Sequence, residues 1–134
     1  MVEVNSTNQT VTTGELIPLT TTVRRVCCDA VLGSNNVTFN KAGIYIVDAT
    51  FNATASTAGN ITVQLLLDDE VQSNGTASET AADTTGIHNL HFTTSILVPA
   101  YCKCVPRHTL TLKNVGTGAT YELADLVVER KAGI

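Results

Sequence analysis

The chain has 134 residues, a mass of 14.1 kDa and a formal net charge of −4, from 8 basic and 12 acidic side chains. That is one domain's worth of protein, and surface scaling lets it bury about two-thirds of its unfolded surface without staples. The acidic balance excludes the footprint of a nucleic-acid binder, and 43% apolar against 15% charged content excludes a disordered chain. No apolar run approaches the ~20 residues of a membrane span, so membrane insertion is not expected either.

Thr occurs 22 times and Trp never, a bias that favours pleated, half-buried surfaces over helices. The opening Met1-Val2-Glu3-Val4-Asn5 lacks the basic start and apolar run of a secretory signal, so folding in a cytoplasm is expected. Residues 1–15 are read as an N-terminal arm or edge strand of a single domain spanning 1–134. Strand candidates follow at 16–19, 22–28 and Val37–Phe39. From Tyr45 the odd positions read Tyr45, Val47, Ala49, Phe51 and Ala53, against Asp48, Thr50, Asn52 and Thr54. That is period two, a strand with one face buried. Ile61, Val63, Leu65 and Leu67 repeat it, as do Leu90, Phe92, Ile96 and Val98. Shorter runs lie at 110–112 and 123–128.

Lys41-Ala42-Gly43, Ala58-Gly59-Asn60, Ser73-Asn74-Gly75 and Val115-Gly116-Thr117-Gly118 supply turn chemistry between these runs. The residues at 79–86 are the best helix candidate, but their Thr pair and Gly86 favour a surface loop. Turn signals at intervals of roughly 10 residues define an all-β sandwich or barrel of antiparallel strands. The inner-face candidates are Tyr45, Val47, Phe51, Val63, Leu65 and Phe92. Ile44, Ile46, Leu66 and Leu97 sit on otherwise polar faces and are candidates for an interface.

The run Val37-Thr38-Phe39-Asn40-Lys41-Ala42-Gly43-Ile44-Tyr45-Ile46-Val47 resembles the approach to a central strand in the tumour necrosis factor and complement globular-head superfamily. Residues 61–67 with Asp68-Asp69-Glu70-Val71 resemble its hairpin of a short turn followed by an apolar residue. Ser95-Ile96-Leu97-Val98-Pro99 resembles the strand before a hairpin into 110–114, and 121–130 resembles the closing strand. The likeness covers about residues 16–130 and is nearest the bacterial and phage branch. It departs at 102–108, where Cys102-Lys103-Cys104-Val105-Pro106-Arg107-His108 replaces the usual Gly-Asp hairpin, and no collagen repeat precedes the domain. The resemblance implies an antiparallel jelly-roll β-sandwich that packs three copies around an axis.

Four cysteines are the candidates for a metal: Cys27 and Cys28, adjacent, and Cys102 and Cys104, one residue apart. Zinc pairs usually stand two to four residues apart so that both thiolates converge, and neither spacing has that form. A disulfide between the clusters is compatible with geometry, but cytoplasmic assembly favours buried, reduced packing thiols. His88 and His91 fall on opposite faces of a strand and read as solvent-facing, with His108 distant. No Gly-x-Ser-x-Gly elbow is present, and Asp68-Asp69-Glu70, Glu79 and Asp83 read as solvated turn acids without EF-hand spacing. Six Asn-x-Ser/Thr triplets, at Asn5, Asn8, Asn36, Asn52, Asn60 and Asn74, are what a Thr-rich chain produces by chance.

The expectation is therefore a non-enzymatic structural and interaction module without cofactor. It is read as a homotrimeric phage virion protein, a capsid decoration or the head of a fibre or spike. Loops such as 73–86 would face other virion proteins or a host-surface glycan or receptor. The alternative is a secreted, extracellular domain that recognises glycans or receptors.

Overall fold

Alternation of apolar and polar residues carries the chain through ten strands in the computed structural model, which describes residues 1–100 and 107–133. They are β1 (Val2–Val11), β2 (Thr21–Arg25), β3 (Ala30–Leu32), β4 (Val37–Phe39) and β5 (Gly43–Ala55). β6 (Gly59–Leu67), β7 (Glu70–Ala81), β8 (Ile87–Val98), β9 (Thr109–Asn114) and β10 (Ala119–Ala132) complete the set. Two antiparallel sheets result, a first in the order β2-β1-β10-β5-β8 and a second in the order β3-β4-β9-β6-β7. They face each other as a jelly-roll sandwich, with no helix among the described residues, and so none that is long and apolar enough to cross a membrane.

The inward parity of both sheets fills the core. Tyr45, Val47, Phe51, Val63 and Leu65 are fully buried, and Phe92 nearly so. Phe51 sits between two aromatic rings, 6.2 Å from Phe92 and 6.0 Å edge-on from Tyr121. Phe39 and Tyr45 pack with centroids 4.6 Å apart, and the Tyr45 hydroxyl donates to the Lys41 carbonyl at 2.6 Å.

Several local expectations are corrected by pairing between distant segments. β1 is neither an arm nor an edge: it lies between β2 and β10, with Val2 and Val4 fully buried. Residues 16–19 form a strap rather than a strand. Along β9, β4 pairs only with Thr109 and Leu110, which leaves the far half of that edge open. The strap satisfies it: Gly14 donates to the Asn114 carbonyl at 2.7 Å and Ile17 to that of Leu112 at 2.8 Å.

The turn chemistry at Ser73-Asn74-Gly75 lies inside β7, not in a loop. The register there jumps from Gln64 opposite Thr76 to Leu66 opposite Val71, so residues 72–75 bulge out against Leu65 alone. A Cβ on Gly75 would stand 2.7 Å from the Leu65 Cβ, which explains the glycine. The actual β6–β7 turn is Asp68-Asp69, both left-handed at φ 52 and 66, the pattern of a two-residue hairpin. Residues 79–86 hold strand as far as Ala81 and then turn around Asp83, whose Oδ1 accepts from the Thr85 and Gly86 amides at 3.0 and 3.3 Å.

β8 and β9 belong to different sheets, so they do not form the hairpin that the resemblance implied. Cys102 and Cys104 lie outside the described residues. At Gly43 the constraint is proximity, not a tight left-handed turn: a Cβ there would meet the Ala132 carbonyl oxygen at 2.4 Å.

Candidate functional site

The outer face of the first sheet is where charge and exposed apolar surface meet. Strand register decides what meets there. Glu3 on β1 lies opposite Arg24 on β2 and Val127 on β10, and Val127 opposite Asp48 on β5. In the adjacent row Asn5 faces Asp125, Asp125 faces Thr50, and Thr50 faces His91 on β8. Diagonal neighbours on one face are within reach of long side chains. Thus Glu3 and Asp48 both flank Asp125, and His91 reaches across to Asp48.

The contacts confirm a continuous strip. Arg24 Nε stands 2.9 Å from Glu3 Oε1, and His91 Nε2 stands 2.6 Å from Asp48 Oδ1. Thr93 Oγ1 donates to the same carboxylate oxygen at 3.3 Å. Between these pairs, the register sets Asp125 diagonally beside Glu3. Burial first, then the neighbouring Glu3 carboxyl, push the Asp125 carboxyl up to about 7, against an opposing pull from Arg24. The strip was not legible as a site in the sequence. Outward parity identifies Asp48 and Asp125 singly, but their meeting depends on β10 lying between β1 and β5.

His91, Asp48 and Thr93 do not form a nucleophilic triad. The His91 Nε2 that lies 3.4 Å from Thr93 Oγ1 is the nitrogen already engaged by Asp48. A base held for proton abstraction needs one ring nitrogen for the acid and the other for the nucleophile. His108 pairs through Nδ1 with Asp68, and His88 Nδ1 lies 3.9 Å from Glu79. The histidines are therefore engaged by acids at three separate places in the fold rather than gathered. Among the described residues no group of three or more His, Cys, Asp or Glu side chains is placed to hold a metal ion.

The exposed apolar candidates divide. Ile44 and Leu97 are cross-strand partners on this same outer face, 39% and 57% exposed, and Ile46 is half-buried in the next row. Leu66 differs: it is only 6% exposed, opposite Thr111 and Val71 on the outer face of the second sheet, and is covered within the chain. Beside Leu97 a cleft of about 340 Å³ opens between Leu67, Asp68, Glu70, Gln72 and Pro99, where the edges β7 and β8 come together.

Cys27 and Cys28 are exposed free thiols rather than buried packing residues. β2 stops at Arg25, and the chain turns around the end of the sandwich with Cys27 left-handed at φ 64, which carries both side chains off the sheet. In native buffer, a thiol reagent such as Ellman's should therefore label Cys27 and Cys28 rapidly. Serine at both positions should remove two equivalents of fast-reacting thiol, and no such loss would refute their exposed placement.

Two facing antiparallel sheets with these strand orders define a jelly roll of the tumour necrosis factor and complement-head type. No protein-family model matches the sequence, and no curated protein does. Solved structures do match, over nearly the whole chain. Murine APRIL at pH 5.0 superposes with a TM-score of 0.71 at 8% identity, covering 97% of this chain and 98% of that one. The globular domain of the zebrafish complement 1qA protein gives a TM-score of 0.65 at 6% identity, with the same 97% and 98% coverage. The PRD1 vertex protein P5 gives 0.65 at 13% identity, covering 98% of this chain and 96% of that one. These likenesses establish the fold.

Proposed function

We propose that the chain is a non-enzymatic structural and interaction module that assembles as a homotrimer on a virion, as a capsid decoration or the head of a fibre or spike. The observation that carries this reading is the end-to-end likeness of its jelly roll to a vertex protein as well as to a complement globular head. The exposed pair Ile44 and Leu97 beside Ile46 supports assembly through the first sheet. At roughly 25 cal/mol per Å², an interface covering about 1,000 Å² of apolar surface per subunit outweighs the cost of association.

One end of the sandwich supplies a surface for attachment. Thr57 and Thr117 share a hydroxyl hydrogen bond of 2.6 Å, and Thr13 Oγ1 donates to the Gly116 carbonyl at 2.7 Å. These contacts tie the turns at 12–14, 56–58 and 115–118 into one threonine-rich platform. Three copies on one head then multiply weak contacts into a strong one.

Light scattering should give near three times the 14.1 kDa chain mass. Leu97→Glu should lower that mass while leaving the circular dichroism spectrum unchanged. A clean monomer at micromolar concentration would remove the trimer. Recovery of the protein with purified particles tests the virion location. The likeness to APRIL favours a second reading, a secreted receptor- or glycan-binding domain, for which binding to a glycan or receptor array without particle association is the distinguishing result.

A further inference from the structure

The turn that joins β2 to β3 presents two adjacent, exposed thiols at an unusual point of the backbone. Among the described residues, five non-glycine positions have positive φ: Asn8, Asn35, Asp68, Asp69 and Cys27. Asn and Asp tolerate that region because a short polar side chain bonds locally, whereas cysteine has no such compensation. Clamps on either side hold Cys27 there. Before it, the Met1 amino group donates to the Val26 carbonyl and the Val26 amide to the Met1 carbonyl, both at 2.8 Å. After it, the Asn40 side-chain amide donates to the Cys28 carbonyl at 2.8 Å, and the Asn40 backbone amide to that of Asp29 at 2.7 Å. Lys41 Nζ stands 3.2 Å from Asp29 Oδ1. Such outliers persist where the surroundings over-determine them. On a strand the two side chains would stand about 180° apart, too far round to share a partner. A left-handed residue reduces that rotation to roughly 100° and leaves both sulfurs on the solvent side. Among the described residues no third His, Cys, Asp or Glu joins them, so the chemistry of this turn is that of a sulfur pair.

We propose that Cys27 and Cys28 form a thiol–disulfide exchange site, which takes a low-molecular-weight disulfide as oxidant and closes into a bond between the two neighbours. One cysteine thiolate attacks a sulfur of the small disulfide. A mixed disulfide forms, the small disulfide bond breaks, and one small thiolate leaves and takes up a proton. The neighbouring thiolate then attacks the protein sulfur of the mixed disulfide, and the second small thiol departs. The cysteine pair is thereby oxidised by two electrons and the small disulfide reduced by two. The two cysteine protons are balanced by those on the two small thiols released. Exposure gives the oxidant access to the first sulfur, and adjacency makes the second step intramolecular, so that it outruns attack on a second small disulfide. The pair then follows the thiol poise around it, reduced in a cytoplasm and closed outside one.

Peptide mass spectrometry tests this on the full chain, treated with oxidised glutathione, alkylated and digested with trypsin in the absence of reductant. Cleavage after Arg25 and Lys41 isolates both cysteines in one peptide, residues 26–41, apart from Cys102 and Cys104. That peptide should weigh two hydrogens less than its dithiol form, carry no glutathione, and regain the hydrogens with dithiothreitol. Cys27→Ser and Cys28→Ser should each stop at the mixed disulfide, with one glutathione held on 26–41. A serine variant that takes up no glutathione would overturn the exchange mechanism. In the unsubstituted chain, glutathione on both cysteines would overturn the closure and show two independent thiols. A peptide alkylated at both positions would overturn the site altogether, as would a disulfide from either residue to any cysteine outside the pair. The unsubstituted peptide decides the matter by itself, so the test does not depend on how the variants fold.

Discussion

Replacing Phe51 by alanine is expected to lower the unfolding free energy by about 3–5 kcal/mol, the cost of lost transfer energy plus a cavity. The ring is fully buried against Phe92 and Tyr121, and neither neighbour is free to collapse into the space because each is held on its own strand. Thr50→Ala, one residue away but on the exposed face opposite Asp125, is expected to cost well under about 1 kcal/mol. Chemical denaturation of both variants checks the facing of β5. Equal losses would mean that the strand does not present alternate residues to core and solvent.

Asn114→Ala is expected to be comparably damaging, at about 3–4 kcal/mol, for a different reason. The side chain is fully buried where β9 ends, and it closes three backbone segments at once. Its Nδ2 donates to the carbonyls of Val11, Thr12 and Thr117 at 3.2, 3.4 and 3.0 Å, while its Oδ1 accepts from the Tyr121 hydroxyl at 3.1 Å. Alanine leaves the Val11 carbonyl and the Tyr121 hydroxyl, both in buried surroundings, without this partner, whereas the exposed Thr12 carbonyl keeps the Glu15 amide; each orphaned buried group costs about 1–3 kcal/mol. Tyr121→Phe removes only one donor and is expected to cost about 1 kcal/mol. Because the two share a bond, the double variant should lose less than the sum of the single ones. A loss under about 1 kcal/mol for Asn114→Ala would show that water replaces the amide there.

The same segment shows what a linear reading misses. Asn114 ends a short alternating run and precedes a Gly-rich turn, so it reads as one more polar turn residue. Its role comes from Val11 and Thr12, about a hundred positions away, arriving at the same end of the sandwich. Asp125 is a parallel case, since outward parity describes it as a solvated acid until β1 is placed beside β10. Leu66 errs in the opposite direction: correct parity placed it on the outer face, yet the chain itself covers that part of the face.

Composition, period two and turn residues by themselves determined that this is an all-β chain, and they determined which side chains of β5, β6 and β8 point inward. Those features are local: adjacent residues on an extended chain must point to opposite sides, whatever lies next to them. The resemblance carried by Gly43 and Tyr45 extended that reading to the jelly roll. Only the tertiary structure decided that β1 is an internal strand, that β7 bulges at 72–75, that 16–19 is a strap closing β9, and that Asp125 stands beside Glu3. Each of these is set by which distant strand supplies the neighbouring hydrogen bonds. That choice is made by the cooperative pairing and packing of the whole sandwich, and no short window of residues contains it.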